Sequence, residues 1–105
     1  MKYAKLVIYV PSSHAKRIRQ VLSEAGCGKM GNYDACSFSV KGTGRFRPLQ
    51  NAKPFIGQEG QLEEVPEERI ETLVETAKLK EVIAAIRKVH PYEEPAIEVY
   101  PLLHP

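Results

Sequence analysis

The run His90-Pro91-Tyr92-Glu93-Glu94-Pro95 gathers an imidazole, a phenol, two carboxylates and two prolines within six positions. Pro91 disfavours helical dihedrals at His90, so a helix reaching this point stops there. At a helix C-terminus the negative end of the dipole favours protonated imidazole. Neighbouring side chains of an extended segment point to opposite sides, so at most one of Glu93 and Glu94 is expected to share a face with His90. That disfavours a paired-carboxylate acid–base site. The prolines instead lock the chain path while His90 and one glutamate bond to backbone or to a neighbouring subunit; contact with a ligand is the alternative.

A second constellation is Gly42-Thr43-Gly44-Arg45-Phe46-Arg47-Pro48. Read as a turn, Gly42 and Gly44 permit positive φ, and successive N–H groups can form an anion nest. Arg45 and Arg47 add bidentate donors for phosphate or carboxylate, and Phe46 a ring for stacking. The alternative is a strand-end turn with two solvated arginines and a packed Phe46. The candidate ligand-binding set is therefore Gly42, Gly44, Arg45, Phe46, Arg47, His90, Tyr92, Glu93 and Glu94. No catalytic residue, metal ligand or cofactor is assigned. No GxxxxGK[ST] run is present, so this is not a P-loop.

Other chemistries find less support. His14, His90, His104, Cys27 and Cys36 are scattered and form no i, i+4 pair of metal ligands. Glu59, Glu63, Glu64, Glu67 and Glu68 read as a solvated acidic stretch rather than a hard-cation site. Lys16, Arg17, Arg19, Arg45 and Arg47 could form a basic surface, but no aromatic-rich RNP1 pattern accompanies them, so nucleic acid is an unlikely partner. Two cysteines are too few for a disulfide scaffold; buried thiols in a cytoplasmic protein are the expectation. Leu6-Val7-Ile8-Tyr9-Val10 is too short for a membrane span or a signal-peptide core, and no membrane role is expected. Residues 1–54 carry ten Lys/Arg and two acids, residues 55–105 five Lys/Arg and eleven Glu. That polarity can steer anions or align subunits, unless elements of both halves interleave in space.

The elements that must position these groups follow from periodicity. At 105 residues the chain is expected to form a single domain, 1–105. Lys5–Val10 is an apolar strand ended by Pro11. Ser12 or Ser13 can cap a helix whose stripe is Ala15, Ile18, Val21, Leu22 and Ala25, with Gly26 as terminator. Tyr33–Val40 reads as a second strand with Cys36, Phe38 and Val40 inward, broken at Gly42 and Gly44. Lys41–Pro66 shows no period; a stretch that long is functional or mobile. Glu67–Val74 is a third strand with Ile70, Thr72 and Val74 on one face. Thr76 can cap a second helix with the stripe Leu79, Val82, Ile83, Ile86 and Val89. Ala96–Tyr100 is the fourth strand, with Ile97 and Val99 inward. The order βαββαβ is that of an α+β, ferredoxin-like sandwich, a four-stranded antiparallel sheet with two helices on one face. Its other face is half-apolar and open to a partner subunit.

With that order, the Gly42–Pro48 run, His90–Ala96 and Ile97-Glu98-Val99-Tyr100-Pro101-Leu102 together resemble the insert domain of the YqfO/Nif-three-like family. The resemblance spans nearly the whole chain. It implies a PII/CutA-like fold and a homo-oligomer, a trimer before a dimer. The dinuclear-metal core of that family has no counterpart here, so its metal site does not carry over, and the chain looks like a free-standing insert. The function expected is a non-enzymatic regulatory or sensing domain that binds a small anionic ligand or a protein partner. The alternatives are a structural assembly module and an enzyme with a site at a subunit interface.

Overall fold

The computed structural model describes residues 2–103. His104, weighed above as a metal ligand, lies outside the described residues. The order is β1 (Tyr3–Pro11), α1 (Ser12–Glu24), β2 (Ser37–Phe46), β3 (Glu63–Glu75), a single 3-10 turn at Thr76–Lys78 leading into α2 (Leu79–Val89), and β4 (Ile97–Pro101). The strands lie in the order β2-β3-β1-β4 with every neighbour antiparallel. Both helices pack on one face, so the ferredoxin-like sandwich expected from the sequence is the one formed.

The core sits between the helices and the inward face of the central strands. Ala4, Leu6, Ile8 and Val10 of β1 and Ile70 and Val74 of β3 meet Ala15, Ile18 and Leu22 of α1 and Val82 and Ile86 of α2. These are the helical stripes read from the sequence, and they have no other apolar surface to cover. Helix α1 ends as expected: Gly26 takes φ +89° and Cys27 N–H donates to Leu22 O at 3.0 Å, a left-handed C-terminal cap. The expected N-caps do not form. Pro11 occupies that position in α1, and Ser13 Oγ bonds His14 Nδ1 at 2.8 Å instead. Thr76 opens the 3-10 turn, and Lys78 precedes α2 without a side-chain cap.

β2 and β3 correct the sequence reading most. β2 begins at Ser37 and runs straight through Gly42 and Gly44, which pair with Glu67 and Val65. Neither glycine has positive φ, so there is no turn and no anion nest at this point. β3 starts four residues earlier than expected. The irregular stretch thereby shrinks to residues 47–62. β1 leaves β3 at the Pro11–Glu67 pair, so the β2–β3 arm continues past the rest of the sheet, and the molecule measures 46 × 23 × 22 Å.

The phase of β2 is also inverted. Ser37 pairs with Thr72 and Ser39 with Ile70, so the serines share the helix side, while Phe38 and Val40 stand on the open face at 66% and 50% exposure. The reason is polar. Arg19 of α1 reaches over this edge, donating to Glu68 Oε1 at 2.7 Å and to Ser39 Oγ at 3.3 Å. Val99 pairs with Leu6 and so faces the helix side as expected, but on the edge strand β4 it is still 38% exposed. Cys27 is buried and its thiol pushed up to about 11 by burial, which Lys78 partly opposes; Cys36 is only partly covered.

The charge split along the chain is not a split in space. Lys5 pairs with Glu71 at 3.1 Å, Arg19 with Glu68 at 2.7 Å and Arg45 with Glu64 at 3.4 Å, each joining the basic part to the acidic one. On the open face Arg69 Nε lies 3.1 Å from Glu71 Oε2 but off the N–H direction, an ion pair without a hydrogen bond.

Ile8→Ala or Ile86→Ala, at fully buried positions, is expected to cost about 2–5 kcal/mol in urea unfolding. Phe38→Ala is expected to cost under about 1 kcal/mol at concentrations too low for self-association. The opposite ranking would contradict the register.

Candidate functional site

The two motifs, distant in sequence, meet where β1 ends. Helix α2 stops at His90, whose N–H closes the last turn on Ile86 O at 2.8 Å. The chain then bends over Tyr92–Glu94 before Ile97 joins the sheet as β4. From the other side, the end of β2 delivers Arg45, Phe46 and Arg47. Phe46 and Tyr92 meet edge to face, their centroids 5.6 Å apart. Between these walls and the start of the 47–62 loop lies a cleft of about 440 Å³. Its lining is mostly apolar, with Phe46, Leu49, Pro54, Phe55, Ile56 and Tyr92 prominent and Arg45, Arg47, Glu67, Glu93 and Glu94 as its charged groups. That is the usual make-up of a small-molecule site, an apolar body with few placed polar groups.

His90 is the keystone behind the cleft wall. It is 6% exposed, and both ring nitrogens are engaged with backbone. Tyr92 N–H donates to Nδ1 at 3.1 Å. Nδ1 therefore carries no proton, and it is Nε2–H that donates to Tyr9 O at 2.8 Å. The imidazole is held neutral. Burial lowers its pKa below 6.5, and this outweighs the opposing effects of the Tyr9 carbonyl and of Glu67, while His14 pushes the same way as burial. The helix-dipole expectation of a protonated His90 is thus overturned by desolvation.

Tyr92 carries the connection across the cleft. Its hydroxyl donates to Glu67 Oε2 at 2.8 Å, and its ring lies 5.2 Å from the His90 ring. Burial and the Glu67 carboxylate both hold the phenol well above its ordinary range, so it remains a donor. Gly44 makes room for this arrangement: a Cβ there would collide with the Glu67 carboxylate. The loop is tied in from the far side. Lys53 N–H donates to Glu93 Oε1 at 3.1 Å, and Phe55 packs edge-on against His14 at 5.5 Å.

Of the nine candidate residues, Arg45, Phe46, Arg47, Tyr92, Glu93 and Glu94 line this cleft together. His90 supports it from behind. Gly42 and Gly44 instead floor a shallow trough of about 470 Å³ on the open sheet face, beside Tyr9 and Arg69. Glu93 and Glu94 both reach the cleft because the chain bends at Tyr92–Glu94; the alternation expected of an extended segment does not apply. The sequence reading missed Glu67 and Phe55. Glu67 could have been found only from the β2–β3 register, which puts it opposite Gly42. Among the described residues no three His, Cys, Asp or Glu side chains gather as metal ligands, and no helix is long and apolar enough to cross a membrane.

No family model matches the chain. It is 50% identical over 98 residues to a GTP cyclohydrolase 1 type 2 homologue of Halalkalibacterium halodurans, an alignment covering 93% of this chain and 26% of that protein. Its structure matches that of a Bacillus cereus protein related to NIF3 with a TM-score of 0.85 and 44% identity, over 98% of this chain and 26% of the other. The periplasmic divalent cation tolerance protein CutA of Archaeoglobus fulgidus matches at a TM-score of 0.71 and 22% identity, over 98% of this chain and 86% of that one, which shows a shared fold. The chain is homologous to the CutA-like insert of GTP cyclohydrolase 1 type 2 homologues, and spans about a quarter of the length of these relatives.

A buried neutral histidine has a defined pH signature. Its folded-state pKa lies below the unfolded value of 6.5, so its contribution to stability is complete above 6.5 and is lost as pH falls through the folded pKa. Unfolding free energies from urea curves measured against pH are expected to fall below 6.5 more steeply in wild type than in His90→Gln, by at most about 1.4 kcal/mol per pH unit for one proton. Parallel curves would contradict the assignment.

Proposed function

We propose that this chain is a non-enzymatic, oligomeric regulatory or sensing domain whose cleft binds a small anionic ligand with an apolar body. The observation that carries this reading is the meeting of the Arg45–Arg47 and Tyr92–Glu94 segments around one mostly apolar cleft. The aromatic walls suit a ring or hydrocarbon, and Arg47 suits its anionic head. Arg45 is partly neutralised by Glu64, whereas no ion-pair partner of Arg47 is found among the described residues. Glu67 and Glu93 accept hydrogen bonds from the Tyr92 hydroxyl and the Lys53 backbone N–H, which fixes their carboxylates in the wall. The 47–62 loop supplies the responsive part, since Glu93 and the cleft hold it directly.

The same geometry argues against chemistry at this site. Both nitrogens of His90 are spent on backbone, and the Tyr92 hydroxyl on Glu67, so neither is free to move a proton to or from a substrate. The activity named for the longer relatives belongs to proteins of which this chain represents about a quarter. The open sheet face, with Phe38, Val40 and Tyr100 exposed around the Lys5–Glu71–Arg69 ion pairs, is the surface on which copies would meet, a trimer before a dimer. The free thiols Cys27 and Cys36 suit a reducing cytoplasm.

A thermal-shift panel of phosphates, nucleotides and aromatic or aliphatic carboxylates, followed by calorimetry, tests the ligand. An anionic member should raise the melting temperature, and Arg47→Ala should weaken its binding by about 1.5–3 kcal/mol, with a smaller loss for Arg45→Ala. Light scattering at micromolar concentration should give a multiple of the 11.8 kDa chain mass. If no anion stabilises the protein while the multiple is found, the domain is an assembly module rather than a sensor.

A further inference from the structure

We propose that the cleft is proton-gated: protonation of His90 at Nδ1 releases the Tyr92 backbone and opens the wall that Tyr92 forms. The neutral ring holds that wall by accepting the Tyr92 N–H at 3.1 Å while Nε2–H stays on Tyr9 O. A proton on Nδ1 turns the acceptor into a donor facing another donor, so this contact becomes repulsive while the Tyr9 contact persists. The ring is therefore still anchored to β1, and the element that must move is the 91–96 segment. Between His90 and Ile97 the backbone makes no regular ladder. The segment is held by the Tyr92 N–H on His90, by Glu93 accepting from Lys53 N–H at 3.1 Å, and at its far end by Ala96 O accepting from Tyr9 N–H at 3.1 Å. Losing the first contact leaves the Tyr92 stretch to hinge about the other two. Tyr92 carries the motion into the cleft through its ring contact with Phe46 and its hydroxyl on Glu67.

The charged and titratable groups facing His90 set the midpoint. Glu67 and the hydroxyl of Tyr92 lie on the cleft side, Tyr9 of β1 presents its carbonyl, and His14 faces from α1. Among the described residues no charged side chain of α2 contributes. Glu67 favours the proton on His90 and His14 opposes it. Burial places the transition below the ordinary histidine value of 6.5, so the cleft is closed at neutral pH and opens on acidification. Nothing in this device requires the cleft occupant to be an anion.

The test follows the His90 ring and the Tyr92 amide of the full chain by NMR from about pH 8 to about pH 5. His90 Cε1–H should titrate with a midpoint below 6.5, and the Tyr92 amide should shift with the same midpoint. Tyr92 amide exchange, corrected for its intrinsic pH dependence, should quicken at least about tenfold, while β1 amides such as Ile8 stay protected. His14→Gln should keep the transition and move its midpoint upward. Any of three results overturns the gate. The Tyr92 amide could stay put while His90 titrates. β1 could lose protection at the same pH, which is unfolding. Or the transition could vanish in His14→Gln, which makes His14 the sensor.

Discussion

The structure depends on one mismatch in strand length. β3 spans Glu63–Glu75, but β1 stays beside it only from Glu75 to Glu67, because Pro11 lacks an N–H to carry the ladder on and α1 begins at Ser12. Beyond that pair β3 keeps β2 on one side and has no strand on the other. The Pro-bounded segment after α2 arrives at this corner, and Tyr92 makes its hydrogen bond to Glu67, the last residue of β3 that faces β1. The cleft is the space left where a regular strand gives way to an irregular one. Arg45, Phe46 and Arg47 enter it because β2 follows β3 outward rather than turning at the glycines.

The same corner decides the state of His90. A histidine at a helix end is attracted to the proton by the dipole, but that effect is modest and short-ranged. Burial to 6% exposure withdraws water from the ring, and the Tyr92 N–H aimed at Nδ1 favours the neutral form further. Pro91 and Pro95 reduce the freedom of the chain around Tyr92, which lowers the entropy lost in holding this geometry. Most of the polar groups are thus committed to organising a wall, and the space in front of them is lined by apolar rings, the two arginines and the carboxylates of Glu93 and Glu94.

Much of this was legible in the sequence. Helical stripes at 3.6-residue spacing and the stops at Gly26 and Pro91 define the two helices, and the βαββαβ order then leaves few topologies. The candidate motifs also proved to be neighbours in space. What failed shares a cause. Alternation in Cys36–Val40 was real, but the open face of a half-covered sheet can be as apolar as its core, so periodicity did not reveal which side is inward. Only the Arg19–Glu68–Ser39 contacts and the register with β3 decide it. Gly42 and Gly44 read as breakers because their pairing partners lie more than twenty residues away. Glu67 was invisible as a site residue for the same reason, and His90 was misjudged because burial is a tertiary property.

The central claim is that the two motifs form one cooperative unit through the Tyr92–Glu67 hydrogen bond. A double-mutant cycle of Tyr92→Phe and Glu67→Ala, read by urea unfolding above pH 7, measures it most directly. The account predicts a coupling of about 0.5–1.5 kcal/mol between residues 25 apart in sequence. Additive effects within about 0.3 kcal/mol would mean that the wall and the arm stand independently, and would contradict it.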